Sequence, residues 1–409
     1  MARRVSPVAR TTVVLALGAF GLAWSLTTTA AYLPPLLQKY TGSTTLVGLV
    51  LAAEGVFALC LPLVIGPWSD TFHTPLGRRR PFMLVALGPM AFGLALLAFM
   101  PSLWTTALLL FGFFFAYYVY EPPYRGLYPD MLPDEVYGRA QSVQHIFRGV
   151  ALGGALIGGG FLFHLWDPAP FLFAAVVVSA ACLGPIVLLR EDGGDTRVFE
   201  GVGVYVRHSW RVLRRNPDVA RFLVANTAWE GTFAGARTFA VLYITVGLGE
   251  SIATSTSVLA AVALGYVVAA SIAGPLGDRV GLARVILVAS VVYGVGLLAG
   301  GFGVEWHDWY LALVFLVAIA GGTVMTLAWG LLFKLMPPGD RGAISGLATT
   351  TKGVGLVIGP LLAGVVIDVM SDRLPGTEGY QALWPVLGVP ILVVLPFVAM
   401  LARAEAEAA

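Results

Sequence analysis

Six ionisable side chains stand inside long apolar stretches of this chain: Glu54, Glu121, Arg148, Glu230, Arg237 and Lys352. A charge at the centre of an apolar span costs about 2.5–3.5 kcal/mol on insertion scales, so each is a candidate for function. Glu121 leads, because Tyr117, Tyr118, Tyr120 and Tyr124 surround it in sequence. A carboxylate accepts hydrogen bonds from hydroxyls, and aromatic rings stack on the apolar face of a sugar, so this cluster suits a hydroxyl-rich solute. Pro122 and Pro123 follow and are expected to break the helix, freeing backbone groups where a cavity is lined. The competing use of Glu121 is an ion pair with Arg125 or Arg148. Glu54 suits the uptake and release of a proton, or is simply a buried, hydrogen-bonded acid. Lys352 and Arg148 are expected to face a cavity rather than lipid. Lys352 could pair with Glu121 or Glu54 and part from them when substrate or a proton arrives. Glu230 and Arg237 lie seven residues apart, two helical turns on one face. With Asn226 and Trp229 they form either part of a binding site or a local charge network. Trp24, Tyr32 and Trp329 are further aromatic candidates, more readily explained by packing, and Asp368 reads as an interfacial residue.

A second set of charges sits at the ends of apolar stretches. In Gly66-Pro67-Trp68-Ser69-Asp70 … Gly77-Arg78-Arg79-Arg80-Pro81, Gly66 and Pro67 are expected to end one helix. Gly77 permits a tight turn and Pro81 starts the next helix. Asp70 is expected near the arginines and near the N-terminal end of a neighbouring helix, where the positive end of the dipole favours a carboxylate. Such a cluster can latch two parts of a molecule in one state and release them in another. Asp70, Arg78, Arg79, Arg80, Asp130, Arg139, Asp278, Arg279 and Arg341 are the candidates for this gate. The bland reading is a set of basic anchors at a membrane surface.

The elements that must position these residues are membrane helices. Of 409 residues, 58% are hydrophobic and only 12% charged, with a mean hydropathy of +0.83. Soluble domains carry about 25% charge, so a soluble enzyme, a disulfide scaffold and a disordered chain are excluded. Two cysteines in apolar runs imply no disulfide framework, and five scattered histidines imply no metal site. A span needs about 20 apolar residues. Twelve are expected, over 11–33, 44–66, 82–100, 104–124, 143–165, 170–189, 219–247, 254–276, 282–303, 309–333, 342–368 and 380–402. Gly-rich faces such as Gly153-Gly154 and Gly158-Gly159-Gly160 favour close helix packing. Reading the first span as a cleaved signal peptide would leave eleven and break the repeat described next. One set of loops carries Arg3, Arg4, Arg10, Arg78, Arg79, Arg80, Arg139, Arg190, Arg197, Arg207, Arg211, Arg214, Arg215, Arg279, Arg284, Arg341 and Arg403; the other carries Lys39 and Arg373. Positive loops stay in the cytoplasm, so both termini are expected there, in a multi-pass protein of the cell membrane.

The chain is internally duplicated. Gly66-Pro67-Trp68-Ser69-Asp70 recurs as Gly274-Pro275-Leu276-Gly277-Asp278, and Leu132-Pro133 with Arg139 and Ser142 recurs as Met336-Pro337 with Arg341 and Ser345. The second copy offers Asp278 only Arg279 and Arg284, a reduced latch. The expected organisation is an all-α membrane protein of two pseudo-symmetric six-helix halves, 1–190 and 218–409, with substrate at the midplane between them. The cytoplasmic linker 191–217 carries Phe199, Val202, Val206, Trp210 and Leu213 at roughly helical spacing, as an interfacial helix would; an irregular basic linker is the alternative.

The loop from Gly66 to Pro81 resembles the signature loop of the major facilitator superfamily, which implies the twelve-helix major facilitator fold and transport by alternating access. Ser69-Asp70 with Gly77-Arg78-Arg79-Arg80-Pro81 is similar to the sucrose-transporter branch. Glu121-Pro122-Pro123-Tyr124-Arg125-Gly126-Leu127-Tyr128-Pro129-Asp130 resembles both that branch and the glycoside–cation symporters, and Thr351-Lys352-Gly353 matches a lysine position of the latter. The resemblance implies a sugar or glycoside substrate and a coupling cation. Where sodium-coupled members carry acids, this chain has Gly18–Ala23, Phe57 and Leu61, so a proton is expected rather than sodium. The plant sucrose carriers' earlier acid on span four is replaced by Phe113, Phe114 and Phe115. No nucleotide loop, His-Glu-x-x-His or Gly-x-Ser-x-Gly supports an enzyme. The expectation is a proton-coupled transporter of a small polar solute. It acts as a monomer in the lipid bilayer, without cofactor, metal or nucleic acid. An exporter or uncoupled facilitator of another organic solute, or a non-transporting sensor, is the alternative.

Overall fold

The computed structural model describes residues 7–38, 40, 50, 53–191, 201–337 and 339–407. Arg3, Arg4, Lys39, Arg197 and Phe199, used above, lie outside the described residues. Fifteen α-helices run through the described residues. They are α1 (Pro7–Gln38), α2 (Ala53–Cys60), α3 (Pro62–Thr71), α4 (Arg80–Leu96), α5 (Leu103–Met131), α6 (Tyr137–Leu165), α7 (Ala169–Leu188), α8 (Val202–Arg215), α9 (Pro217–Leu242), α10 (Ile252–Val280), α11 (Leu282–Gly300), α12 (Tyr310–Leu335), α13 (Arg341–Met370), α14 (Leu383–Val393) and α15 (Leu395–Glu407).

Nine helical stretches among the described residues are long and apolar enough to cross a membrane. The other three crossings of the twelve-helix fold have visible reasons for falling short. α4 is apolar but only 17 residues long. The second crossing lies partly outside the described residues, and its described part is divided at Leu61 into α2 and α3. α9 is diluted by Asp218, Arg221, Glu230 and Arg237. Outward faces carry large apolar side chains, with Val85 and Trp104 each 73% and Leu108 72% exposed. That pattern fits a protein whose lateral solvent is lipid.

Two compact units emerge. Unit 1 holds 1–134, 143–213 and 336–350; unit 2 holds 135–142, 214–335 and 351–409. In unit 1, α1 packs along α7, and α4 packs along α5 and α7. α1 also lies on α6. A Cβ at Gly154 would strike the Trp24 ring, one at Gly159 would strike Tyr32, and Tyr32 Oη donates to the Leu156 carbonyl at 2.6 Å. Gly153 and Gly158 face open space, so only one row of the glycine cluster serves packing. In unit 2, α12 packs against α10 and α11, and α14 packs against α9 and α11. α9 crosses α13 backbone to backbone, at Gly231 against Gly355 and Gly359.

Two expected breaks are absent. α5 continues through Pro122, Pro123 and Pro129 to Met131, and α3 continues through Pro67 to Thr71. Proline removes one backbone donor, but a helix enclosed by others tolerates it. Here Tyr120 and Tyr124 clamp α5, their hydroxyls donating to the carbonyls of Cys182 at 2.8 Å and Leu15 at 2.6 Å. The turn before α4 is as expected. Gly77 has φ +106°, closes on Thr74, and Pro81 sits in the first turn of α4.

Candidate functional site

Unit 1 gathers a polar cluster within its apolar helices. On α5, Tyr117 (3% exposed), Glu121 (1%) and Arg125 (3%) recur every four residues and so share a face. An Arg125 nitrogen lies 3.7 Å from Glu121 Oε1. Tyr117 feels the charges of Glu121, Arg148, Glu54 and Arg125, which brings α2, α5 and α6 to one place. Tyr118 Oη donates to Glu54 Oε1 at 3.3 Å. His145, one turn before Arg148, lies in the field of Arg148 and Arg125 and is fully enclosed. Of the residues singled out in the sequence, Glu54, Tyr117, Tyr118, Glu121 and Arg148 stand together here; His145 was not among them. Helical spacing from Arg148 on α6 was the available signal for His145. Tyr120 and Tyr124 were expected to flank Glu121, but their hydroxyls are directed into packing with α7 and α1. Consecutive residues on a helix point about 100° apart, which turns Tyr120 away from Glu121; Tyr124 stands on the side of Tyr117, but its hydroxyl is engaged by the Leu15 carbonyl. Trp24 likewise packs on Phe20 and Phe173, with ring centroids 5.6 Å away in both cases.

Unit 2 holds the second set. Asn226 Nδ2 donates to Thr351 Oγ1 at 3.2 Å, with half-buried Lys352 next in the chain. Glu230, 7% exposed, follows Asn226 by one turn. Trp229 is fully buried and packs edge-on against Phe222, which makes it core. Arg237 is exposed, so it is not buried beside Glu230 although both stand on one side of α9.

The charged loop forms a dense net in unit 1. Arg79, 1% exposed, reaches Asp70 Oδ1 at 2.9 Å and Asp130 Oδ2 at 2.8 Å. Asp130 also takes Arg341 at 2.9 Å and Arg78 at 3.3 Å. The second oxygen of Asp70 accepts the Gly342 N–H at 2.6 Å, in the first turn of α13, as the dipole argument anticipates. Burial pushes the Asp70 carboxyl above the ordinary carboxylate range despite Arg79 beside it. Arg80 was expected in this net and is not: its Nε donates to the Ile186 carbonyl. Three consecutive arginines at a helix start project in different directions.

Unit 2 repeats the backbone part of this arrangement. Asp278 accepts the N–H groups of Gly138 at 2.9 Å and Arg139 at 3.1 Å, in the first turn of α6. Its cation is Arg139, at 3.4 Å and 56% exposed, not Arg279 or Arg284. Arg279 directly follows Asp278 on α10 and so points away from it, into solvent. The glycines of both motif copies have a common reason. A Cβ at Gly66 would strike the Gly342 carbonyl, and one at Gly274 would strike the Gly138 carbonyl, so each copy lets a helix start press against it.

A second pair of carboxylates escaped the sequence reading. Glu191 accepts the N–H groups of Arg79 and Arg80, at 3.0 and 3.3 Å, at the start of α4. Glu405 accepts those of Leu282 and Ala283, at 3.0 and 2.8 Å, at the start of α11. The signal was present: each stands just after the last apolar span of its half, at Arg190-Glu191 and Arg403-Ala404-Glu405.

The comparisons with known proteins agree with this fold. A tetracycline resistance protein, class G, of Vibrio anguillarum is 25% identical over 376 residues, covering 86% of this chain and 89% of that protein. An uncharacterized MFS-type transporter of Mycobacterium tuberculosis is 32% identical over 130 residues, 32% of this chain. The chain spans about a fifth, 19%, of that relative's length. Among solved structures, the E. coli fucose:proton symporter superposes with a TM-score of 0.77 at 13% identity, over 97% of this chain and 99% of that one. The family profile described as Major Facilitator Superfamily matches residues 15–259 and 231–409. With twelve crossings, a duplicated carboxylate-on-helix motif and a match along almost its whole length, this chain belongs to the Major Facilitator Superfamily.

Proposed function

We propose that the protein is a secondary transporter that moves a small polar solute, a sugar or glycoside, by alternating access coupled to a proton. The observation that carries this reading is Glu121, 1% exposed inside a membrane helix, with Arg125 beside it and Tyr117 on the same face. Such a group is expensive to insert and defaults to a transport role. Glu121 with Arg125 and Arg148 supplies acceptors and donors for hydroxyls, and Tyr117 supplies a ring. Glu54, held by the Tyr118 hydroxyl, takes and releases the proton. Asn226, Glu230 and Lys352 supply the other half's polar contacts. The nets at Asp70 and Asp278 act as the gate on the cytoplasmic side, where both termini lie, and the protein works as a monomer in the cell membrane. The fold it shares with a fucose:proton symporter is compatible with this chemistry.

A second reading, export of another organic solute, is favoured by the similarity to a tetracycline resistance protein along 86% of the chain. Uptake of radiolabelled sugars into proteoliposomes, with and without an imposed pH gradient, separates the two. Accumulation driven by the gradient and abolished by Glu121→Gln supports the first. Absence of uptake and binding for every sugar, with gradient-driven movement of a drug-like solute, leaves the second. Proton flux unchanged in Glu54→Gln removes Glu54 from coupling.

A further inference from the structure

α8 joins the two halves of the sequence, and its sides have different characters. Tyr205, Ser209 and Val212 are 5%, 1% and 4% exposed and form its inner side. Two polar contacts tie that side to the net around Asp130. The Tyr205 hydroxyl lies 2.9 Å from Thr71 Oγ1, the residue after Asp70. His208 Nε2 lies 2.9 Å from Asp340 Oδ1, and Asp340 immediately precedes Arg341, which holds Asp130.

The remaining surface of α8 is unusual for a helix in water. Val206 is 42% and Trp210 55% exposed, one turn apart, with Leu213 continuing the same flank. Arg207, Arg211 and Arg214 form the neighbouring strip and are all exposed. No acid lies on this helix. Tryptophan and aliphatic residues beside arginines describe a helix lying in a membrane interface, its apolar flank among acyl chains and its cations among headgroups. A bilayer of neutral lipid would satisfy the flank alone. Three or four arginines without a carboxylate add a preference for negative headgroups.

We propose that the Val206–Trp210 flank and the Arg207–Arg211–Arg214 strip of α8 dock on an anionic phospholipid surface, and that this docking braces the Asp70–Arg79–Asp130–Arg341 net through the Thr71 and Asp340 contacts. The proposal is independent of which solute is carried.

The test uses the full chain in lipid nanodiscs of phosphatidylcholine alone or of phosphatidylcholine with phosphatidylglycerol. Cys60 is exposed and is replaced by serine; Cys182 is buried and stays. A nitroxide at Val206→Cys then reports depth through its relative accessibility to oxygen and to a water-soluble nickel chelate. Accessibility to oxygen should rise severalfold relative to the chelate when phosphatidylglycerol is present. The rise should vanish when Arg207, Arg211 and Arg214 are changed to glutamine. In the same discs, exchange of the Gly342 amide, which Asp70 holds, should slow severalfold with the anionic lipid. A label equally open to the chelate in both lipids overturns the docking. Equal immersion in both lipids overturns the anionic preference. Immersion without any change in Gly342 exchange overturns the link to the net.

Discussion

Asp70 in unit 1 and Asp278 in unit 2 perform the same local task with different neighbours. Each receives backbone N–H groups from the first turn of a helix, and each lies next to a glycine that lets that helix approach. Around Asp70 a fully enclosed guanidinium bridges to a second carboxylate, and two further arginines complete the net. Around Asp278 the cation in contact, among the described residues, is a half-exposed arginine. At the position of Asp130 in the duplication, unit 2 has Lys334, which pairs instead with Glu405 at 3.1 Å. The backbone device was kept in both copies, whereas the side-chain net was elaborated in one. A carboxylate on a helix start needs only a glycine and a dipole, while a buried arginine needs several acids placed together.

This difference can be broken most forcefully at Arg79. Arg79→Ala leaves Asp70 and Asp130 enclosed without their shared cation and should cost about 3–5 kcal/mol, read as a lowered midpoint of thermal unfolding in detergent. If Arg79→Ala unfolds no earlier than Arg139→Ala, the net in unit 1 is not the stronger one.

The paired turn glycines give the next effect. Gly77 and Gly281 have φ of +106° and +110°. Alanine at either should lose about 1–2 kcal/mol from the left-handed backbone alone. Gly77→Ala should lose more, because its Cβ would also strike the Glu191 carboxylate, whereas at Gly281 the Glu405 oxygen is 3.1 Å away. Equal losses would mean that Glu191 yields freely.

Glu191→Gln and Glu405→Gln test the second pair of caps. Each should cost on the order of 1 kcal/mol through the lost charge at a helix start. Hydrogen exchange should quicken at Arg79 and Arg80 in the first variant and at Leu282 and Ala283 in the second. Exchange that quickens in neither would deny the caps their role. The smallest effect belongs to Arg139→Ala. A largely exposed partner is worth no more than about 1 kcal/mol, and the two backbone N–H groups on Asp278 remain. A loss as large as that of Arg79→Ala would make the two nets equivalent.

Much of this was legible from residue order. The positive φ at Gly77 and the helix start at Pro81 each follow from local backbone rules that one segment carries within itself. The partners were less legible. Arg139 rather than Arg279 meets Asp278, and Arg80 leaves the net, because side-chain direction changes by about 100° per residue and the partner lies on another helix. The same reason turns Tyr120 away from Glu121 toward α7, whereas Tyr124 stands on the side of Tyr117 and is taken out of the cluster by the Leu15 carbonyl on α1.

The sequence by itself determined a membrane protein of twelve apolar crossings, because a chain with 12% charge cannot cover itself in water and each crossing needs its own run of apolar residues. It also determined the duplication, since a repeated motif is written directly in residue order. Only the tertiary structure decided which charges meet, that α5 runs unbroken through three prolines, and that Glu191 and Glu405 cap helices more than a hundred residues away. These outcomes depend on enclosure and on distances between helices remote in the chain, and neither is a property of any single segment.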